Sequence, residues 1–474
     1  MIIFLESLGC SRNQVDSEIM LGKLVAAGHQ RTDDPGLAQV IIVNTCGFIS
    51  TASEEAVDVI LEMVEFKKSK SCQKLIATGC LAQRYKDDPN LLASLPEVDA
   101  FLGTAACEQI VDVVEGRQTT PLTLFPDPSQ RRFQDPRTDR ELISRGYAFI
   151  KVSEGCNRHC TYCIIPELRG IQRSRPVEDI CAEASSLVAK GVKEIILTAE
   201  NTTDYGQDLV GKTDLASCGS GQIKSDQIKP DQIESNGIGF DGVLSSLSDT
   251  LADQDENVWI RFLYTHPKTL GSEVIKIVQS NRNLCSYYDV PIQHAASTML
   301  KRMGRPYSRK DLVELFELIR KLDPKASLRT TLIVGFPGET EEEFQTLLDF
   351  IKEVRFDHLG VFIYSDSEDL KSHGLKNHVP KELAEQRHDI LMSAQAKISQ
   401  ELNERHVGEI YPVLVEESPE PGVYIGRTMF QAPEVDGMTF IYSQGLEIGT
   451  LEIGTMVRVR ITDAYEYDIA GEVA

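Results

Sequence analysis

The sequence is short of positive charge and of long apolar runs. Across 474 residues, 49 Lys and Arg face 72 Asp and Glu, a formal charge of −23 at pH 7. A surface built to hold phosphates needs clustered Lys and Arg, so nucleic acid is not the expected primary partner and a basic protein suits better. No stretch approaches the roughly 20 consecutive apolar residues of a spanning helix, so no membrane association is expected. The opening run Met1–Leu5 ends at Glu6 and the polar stretch Ser11–Asp16, before a secretory core forms, and a cytoplasmic location follows. In that reducing compartment eleven cysteines, an odd number, read as metal ligands or buried small side chains rather than disulfides.

What is present matches a soluble globular chain, with 41% apolar and 26% charged residues. At roughly 150 residues per domain the length exceeds one core. Over residues 1–120, apolar runs alternate with helical ones: Gln39–Val43 precedes an amphipathic Ser53–Phe66, and Lys74–Thr78 precedes another helical stretch. That alternation predicts a small parallel α/β sheet. Residues 121–146, rich in Pro and Arg without apolar periodicity, read as a linker.

Six candidate strands follow within 147–380: Tyr147–Val152, Glu194–Leu197, Trp259–Leu263, Tyr287–Val290, Ser327–Val334 and His358–Ile363. Helical patterns such as Arg309–Leu322 and Glu341–Val354 lie between them. Six strand-helix repeats predict a partial (β/α)6 barrel. Residues 211–238, with Gln-Ile pairs recurring at Gln222, Gln227 and Gln232 in a Gly, Ser and Asp-rich stretch, read as a disordered surface insertion. A connecting helix is expected at 381–406 and a small strand-rich domain at 407–474, where the tandem Leu446–Thr450 and Leu451–Thr455 looks like a local duplication.

Cys156, Cys160 and Cys163 fall in one loop after a predicted strand, where open α/β folds place their sites. Three close thiolates suit iron in a cubane cluster. A [4Fe-4S] cluster held by three cysteines keeps one iron open for a ligand, by the logic that separates catalytic from structural zinc. A zinc knuckle, with His159 as a further ligand, is the competing structural reading. Cys10, Cys46 and Cys80 each follow a predicted strand and converge on one edge of the first sheet, with Gly9 and Gly79 allowing close backbone approach. Buried strand-end cysteines are the alternative for this second trio. Cys72, Cys107, Cys181 and Cys285 read as small hydrophobes, and Cys218 as an exposed thiol of the insertion.

The Cys-x3-Cys-x2-Cys spacing resembles the radical S-adenosylmethionine (SAM) superfamily, and the two trios together resemble its methylthiotransferase family. The resemblance covers nearly the whole chain apart from the insertion. It implies an auxiliary-cluster domain, a radical SAM barrel and a C-terminal antiparallel TRAM-like β-barrel. It also implies two [4Fe-4S] clusters, SAM as cofactor and substrate, and a reductant protein. In that family the cluster on Cys156, Cys160 and Cys163 cleaves SAM to a 5′-deoxyadenosyl radical. The auxiliary cluster on Cys10, Cys46 and Cys80 supplies sulfur, and a second SAM supplies the methyl group.

Ser7–Cys10, Val43–Ile49, Ser153–Asn157 and Ile164-Ile165-Pro166 resemble the branch that modifies an aspartate of the small-subunit ribosomal protein S-twelve, free or on the ribosome. The branch that modifies an adenosine in tRNA is the rival, and an idle iron-sulfur assembly factor is a third reading. Within 407–474 only Arg427, Arg458 and Arg460 are basic against twelve acidic residues, which favours the basic protein substrate. The superfamily pattern implies SAM contacts from Tyr162, Glu200, Gln293, Arg329 and Gly335. Two departures stand out: Glu200-Asn201 replaces the usual Gln-Asp, and Asp366–Leu370 replaces an expected Glu-Glu-Gly-Thr run.

Overall fold

The computed structural model describes the chain except residues 70, 89, 91–92, 118–121, 134–139, 210–237, 256 and 444–450. The expected insertion therefore lies outside the described residues apart from Ile238, as do Cys218 and the first copy of the C-terminal duplication. Among the described residues no helix is long and apolar enough to cross a membrane.

The first sheet is wholly parallel, in the order Gln30–Arg31, Ile2–Ser7, Val40–Thr45, Lys74–Gly79, Ala100–Leu102, Leu122–Leu124. Its central strands are buried on both faces, which is why they read as unbroken apolar runs. The segment expected as a linker is more than a connector. It adds the edge strand Leu122–Leu124, and it buries Arg131 against Asp16 and Arg140 against Glu18 and Glu183.

The six expected strands of the second domain form two parallel trios. Tyr147–Lys151, Glu194–Thr198 and Trp259–Phe262 make one; Tyr287–Asp289, Ser327–Val334 and His358–Ile363 make the other. An isolated parallel bridge between Ile260 and Leu284 joins them into one open, partial barrel. Helices Arg309–Leu322 and Glu341–Val354 start where capping boxes fix them, Ser308 with Asp311 and Thr340 with Glu343.

The interior side of this barrel is filled from both flanking domains. Val15 and Ile19, one turn apart on helix Ser11–Ala26, pack with Phe149, Ile196, Trp259 and Tyr287 of the strands and with Leu414 and Ala432 of the third domain. The third domain is a closed five-stranded barrel of Ile410–Glu420, Val423–Arg427, Thr439–Tyr442, Ile469–Val473 and Met456–Ala464. Its pairings are antiparallel except that Thr439–Tyr442 runs parallel to Ile469–Val473. It docks through Arg427, which pairs with Glu194 at 2.7 Å, and Asp436, which accepts from Tyr287 at 2.7 Å and Arg329 at 3.2 Å.

Candidate active site

All six expected thiols line a single cavity of about 360 Å³. Cys10 precedes the first turn of helix Ser11–Ala26, Cys46 and Cys80 follow the central strands of the first sheet, and Cys156, Cys160 and Cys163 occupy the loop after Ser153–Glu154. The helix brings the two trios together, because filling the barrel with Val15 and Ile19 carries its N-terminus to the strand end at Thr198 and Ala199. There Ser11 and Thr198 hydroxyls meet at 3.1 Å, and Arg12 donates to the Ala199 carbonyl at 2.7 Å.

The glycines beside the first trio are demanded by the protein's own packing. Gly9 has φ of +90°, and a Cβ there would lie 2.7 Å from Cys46 Cβ. Gly79 has φ of +98°, and its Cβ would lie 2.4 Å from Asn44 Oδ1. Asn13 then ties the Cys10 and Cys46 loops, donating to the Leu8 carbonyl at 3.0 Å and the Thr45 carbonyl at 2.9 Å.

Arg169 reaches this trio from the radical SAM side. It donates to Asn13 Oδ1, to Asp16 at 2.6 Å and to Cys80 Sγ at 3.6 Å. Asp16 also takes Arg131 and, at 2.6 Å, Lys151, while Glu154 takes Lys151. Three buried cations thus share two buried carboxylates, placing net positive charge beside Cys80. Among the described residues no Cys, His, Asp and Glu side chains are gathered closely enough to hold a single metal ion. His159 is exposed.

Burial pushes Cys80 and Cys156 up to about 11 and Cys163 up to about 12, and also raises Cys46. Cys10 moves the other way: burial opposes ionisation, but the Arg12 and Arg169 guanidiniums outweigh it. Metal capture must accordingly displace protons from most of these thiols.

The Glu200 side chain is 2% exposed, and neither carboxylate oxygen has a hydrogen-bond partner among the described residues; the Arg12 guanidinium stands 3.6 Å away. Burial raises its pKa, against the opposing pull of Arg12. His266, also on the cavity wall, accepts from the Lys268 amide on Nδ1 at 3.2 Å, and its Nε2 has no partner among the described residues. Burial, Arg305 and Arg158 hold its pKa down to about 2, so it is a neutral imidazole with Nε2–H as a free donor. Buried polar atoms without partners are rare, and they concentrate at sites that take a ligand.

Of the other expected SAM contacts, Tyr162, Gln293 and Arg329 line the cavity. Arg329 is already engaged by Asp289 at 3.0 Å and Asp436 at 3.2 Å. Gly335 is a turn glycine with φ of +75° whose amide donates to Glu339 at 2.6 Å, and it is not among the lining residues. The sequence reading missed Arg12, Arg169, His266 and Arg305, all on the cavity wall. A usable signal existed for two of them, since Arg12 lies two residues beyond Cys10 and Arg169 six beyond Cys163. Cys72, Cys107 and Cys285 are buried in apolar clusters, as expected.

Three family models match the chain: the uncharacterized protein family UPF0004 at residues 2–103, the radical SAM superfamily at 150–351 and the TRAM domain at 407–474. A protein of Desulfosudis oleivorans named ribosomal protein uS12 methylthiotransferase RimO is 45% identical over 100% of both chains. One of the same name from Clostridioides difficile is 42% identical over 99% of this chain and 98% of its own. The fold is similar to that of the radical SAM methyltransferase TsrM from Kitasatospora setae, solved with cobalamin and a [4Fe-4S] cluster. That match has a TM-score of 0.51 and 14% identity, covering 89% of this chain and 80% of the other.

Proposed function

We propose how this chain works from one premise: it belongs to the RimO family of ribosomal protein uS12 methylthiotransferases. It is a radical SAM enzyme that adds a methylthio group to uS12, acting on the β-carbon of an aspartate in the cytoplasm, with electrons from a reductant protein. The observation that carries the reading is the shared cavity, which puts both thiol trios within reach of one substrate side chain.

The residues fit two clusters and SAM. Among the described residues each trio brings three soft thiolate ligands to the cavity wall, and the Glu200 carboxylate, with no hydrogen-bond partner there and Arg12 3.6 Å away, is a counter-charge for an ammonium. Cys156, Cys160 and Cys163 would hold the cluster that engages SAM, and Cys10, Cys46 and Cys80 the auxiliary one. When bound, these groups supply the electron that splits SAM into methionine and a 5′-deoxyadenosyl radical, and the sulfur that is transferred.

The protein's own part is placement and exclusion of water. Glu200 receives the SAM ammonium, and the His266 Nε2–H and Arg305 offer donors on the same wall. Tyr162, set edge-on to Phe336 at 6.4 Å, walls the side next to the Cys160–Cys163 loop. Arg329, locked by Asp289 and Asp436, fixes the third domain over the cavity rather than contacting SAM freely. Arg169 steadies Cys80 and offsets negative charge there.

The third domain also speaks for a protein substrate. Arg427, one of its three basic residues, is 2% exposed and consumed by Glu194 and Glu416, leaving Arg458 and Arg460 as the cations facing solvent. Reconstitution tests the two-cluster assignment. Replacing Cys46 with Ala should halve the bound iron and abolish methylthiolation while SAM is still cleaved. Full iron content in that variant would refute the auxiliary site.

A further inference from the structure

The segment Ser365–Ser372, which departs from the family's expected run, touches the loops of both trios. It follows strand His358–Ile363 and runs into a short turn at Lys371–Gly374. On one side Ser365 Oγ accepts from the Ser50 amide at 3.2 Å. Arg84 donates to both Asp369 oxygens at 2.7 Å and to Ser367 Oγ at 2.9 Å, while its other nitrogen holds the Gly47 carbonyl, next to Cys46, at 2.8 Å. In the middle Leu370 packs in one buried cluster with Cys80, Ile164 and Leu168. At the far end the Ser372 amide donates to the carbonyl of Thr161, between Cys160 and Cys163, at 3.0 Å.

We propose that Ser365–Ser372 is a strap that sets the separation of the two cluster sites, with Arg84, Asp369 and Leu370 as positioning residues for sulfur transfer. The inference rests on the two-cluster reading above. The Arg84 side chain is 2% exposed while Asp369 is partly open to solvent, so the pair holds its geometry through the fixed two-bond fork between guanidinium and carboxylate. The reaction needs one substrate carbon to meet first the adenosyl radical and then a sulfur held by the other domain. A misplacement of about 1 Å is enough to cost such a step on the order of a hundredfold. A loosened strap leaves hydrogen abstraction intact and starves the second encounter, so SAM is cleaved without modified uS12.

The test uses the reconstituted full chain with SAM, reductant and uS12. It measures 5′-deoxyadenosine formed per methylthiolated protein, bound iron, and the magnetic coupling between the two reduced clusters by electron paramagnetic resonance. Asp369→Ala, at a residue partly exposed to solvent, and Leu370→Ala, which removes packing on Cys80, should each raise the ratio by roughly tenfold. Both should alter the coupling without loss of iron, and Asp369→Glu should restore the ratio. The strap is refuted if both variants keep the wild-type ratio and coupling, or if iron and product fall together at an unchanged ratio. Failure of the wild-type chain to modify uS12 at all would instead overturn the function it rests on.

Discussion

Replacing Glu200 with Gln should move SAM affinity and protein stability in different directions. The carboxylate is 2% exposed, neither oxygen has a hydrogen-bond partner among the described residues, Arg12 stands 3.6 Å away, and its role in the account is to meet an ammonium. A hydrogen bond to a charged group contributes about 1.5–3 kcal/mol, so the isosteric amide should weaken SAM binding roughly 10- to 150-fold. The metal-free protein should not suffer. Burial is the largest influence on Glu200 and raises its pKa, with Arg12 opposing. A carboxyl whose folded pKa lies above its unfolded value stabilises fully below the unfolded value, and that contribution is lost as pH rises through the folded one. The wild-type protein therefore carries a penalty near neutrality that Gln does not. Urea unfolding at about pH 5 and about pH 8 should show the variant equal to wild type or more stable at the higher pH. Equilibrium dialysis with labelled SAM supplies the other half. An affinity within twofold of wild type, or a stability loss above about 1 kcal/mol, would show that Glu200 serves Arg12 and not a ligand.

Asp16→Asn removes one of two carboxylates shared by Arg131, Lys151 and Arg169, and should cost about 3–5 kcal/mol in chemical denaturation of the metal-free chain. The same hub should dominate acid unfolding. Burial opposes ionisation of Glu154, but Lys151, Arg131 and Arg169 depress it to about 2, so its contribution is present above the unfolded value of 4.5 and fades as pH falls towards 2. At the cavity mouth Phe48, Phe362 and Val435, one from each domain, are 36%, 52% and 46% exposed. Phe362→Asp should raise KM for uS12 by roughly fivefold or more in steady-state assays, whereas Ile390→Asp, on the outer helix Lys381–Asn403, should leave it unchanged.

Much of the fold was legible because its signals are local. Strands Ser327–Val334 and His358–Ile363 and helices Arg309–Leu322 and Glu341–Val354 fall at their expected bounds, since apolar period and capping residues both mark them. Helix Ser11–Ala26 was hidden by the same logic. Its first turns carry Ser11, Asn13, Asp16, Ser17 and Glu18, all buried, and their partners lie on other strands and in the next domain. Polar residues that pair across a domain boundary erase the apolar stripe by which a helix is recognised. Cys156, Cys160 and Cys163 were legible from spacing within one loop, and Cys10, Cys46 and Cys80 from their places after predicted strands, but the meeting of the two trios in one cavity was not, because it depends on that helix filling the barrel. Arg131 escaped for a related reason, since a charge in a Pro-rich stretch gives no sign that an acid 115 residues away will bury it.

Mass measurement of uS12 and of tRNA after anaerobic incubation with the reconstituted chain, SAM and a reductant bears most directly on the central claim. The account predicts a gain of one methylthio group on an aspartate of uS12, with no change in tRNA and no product from the Cys156→Ala variant. A methylthio group on tRNA with uS12 unmodified would contradict it.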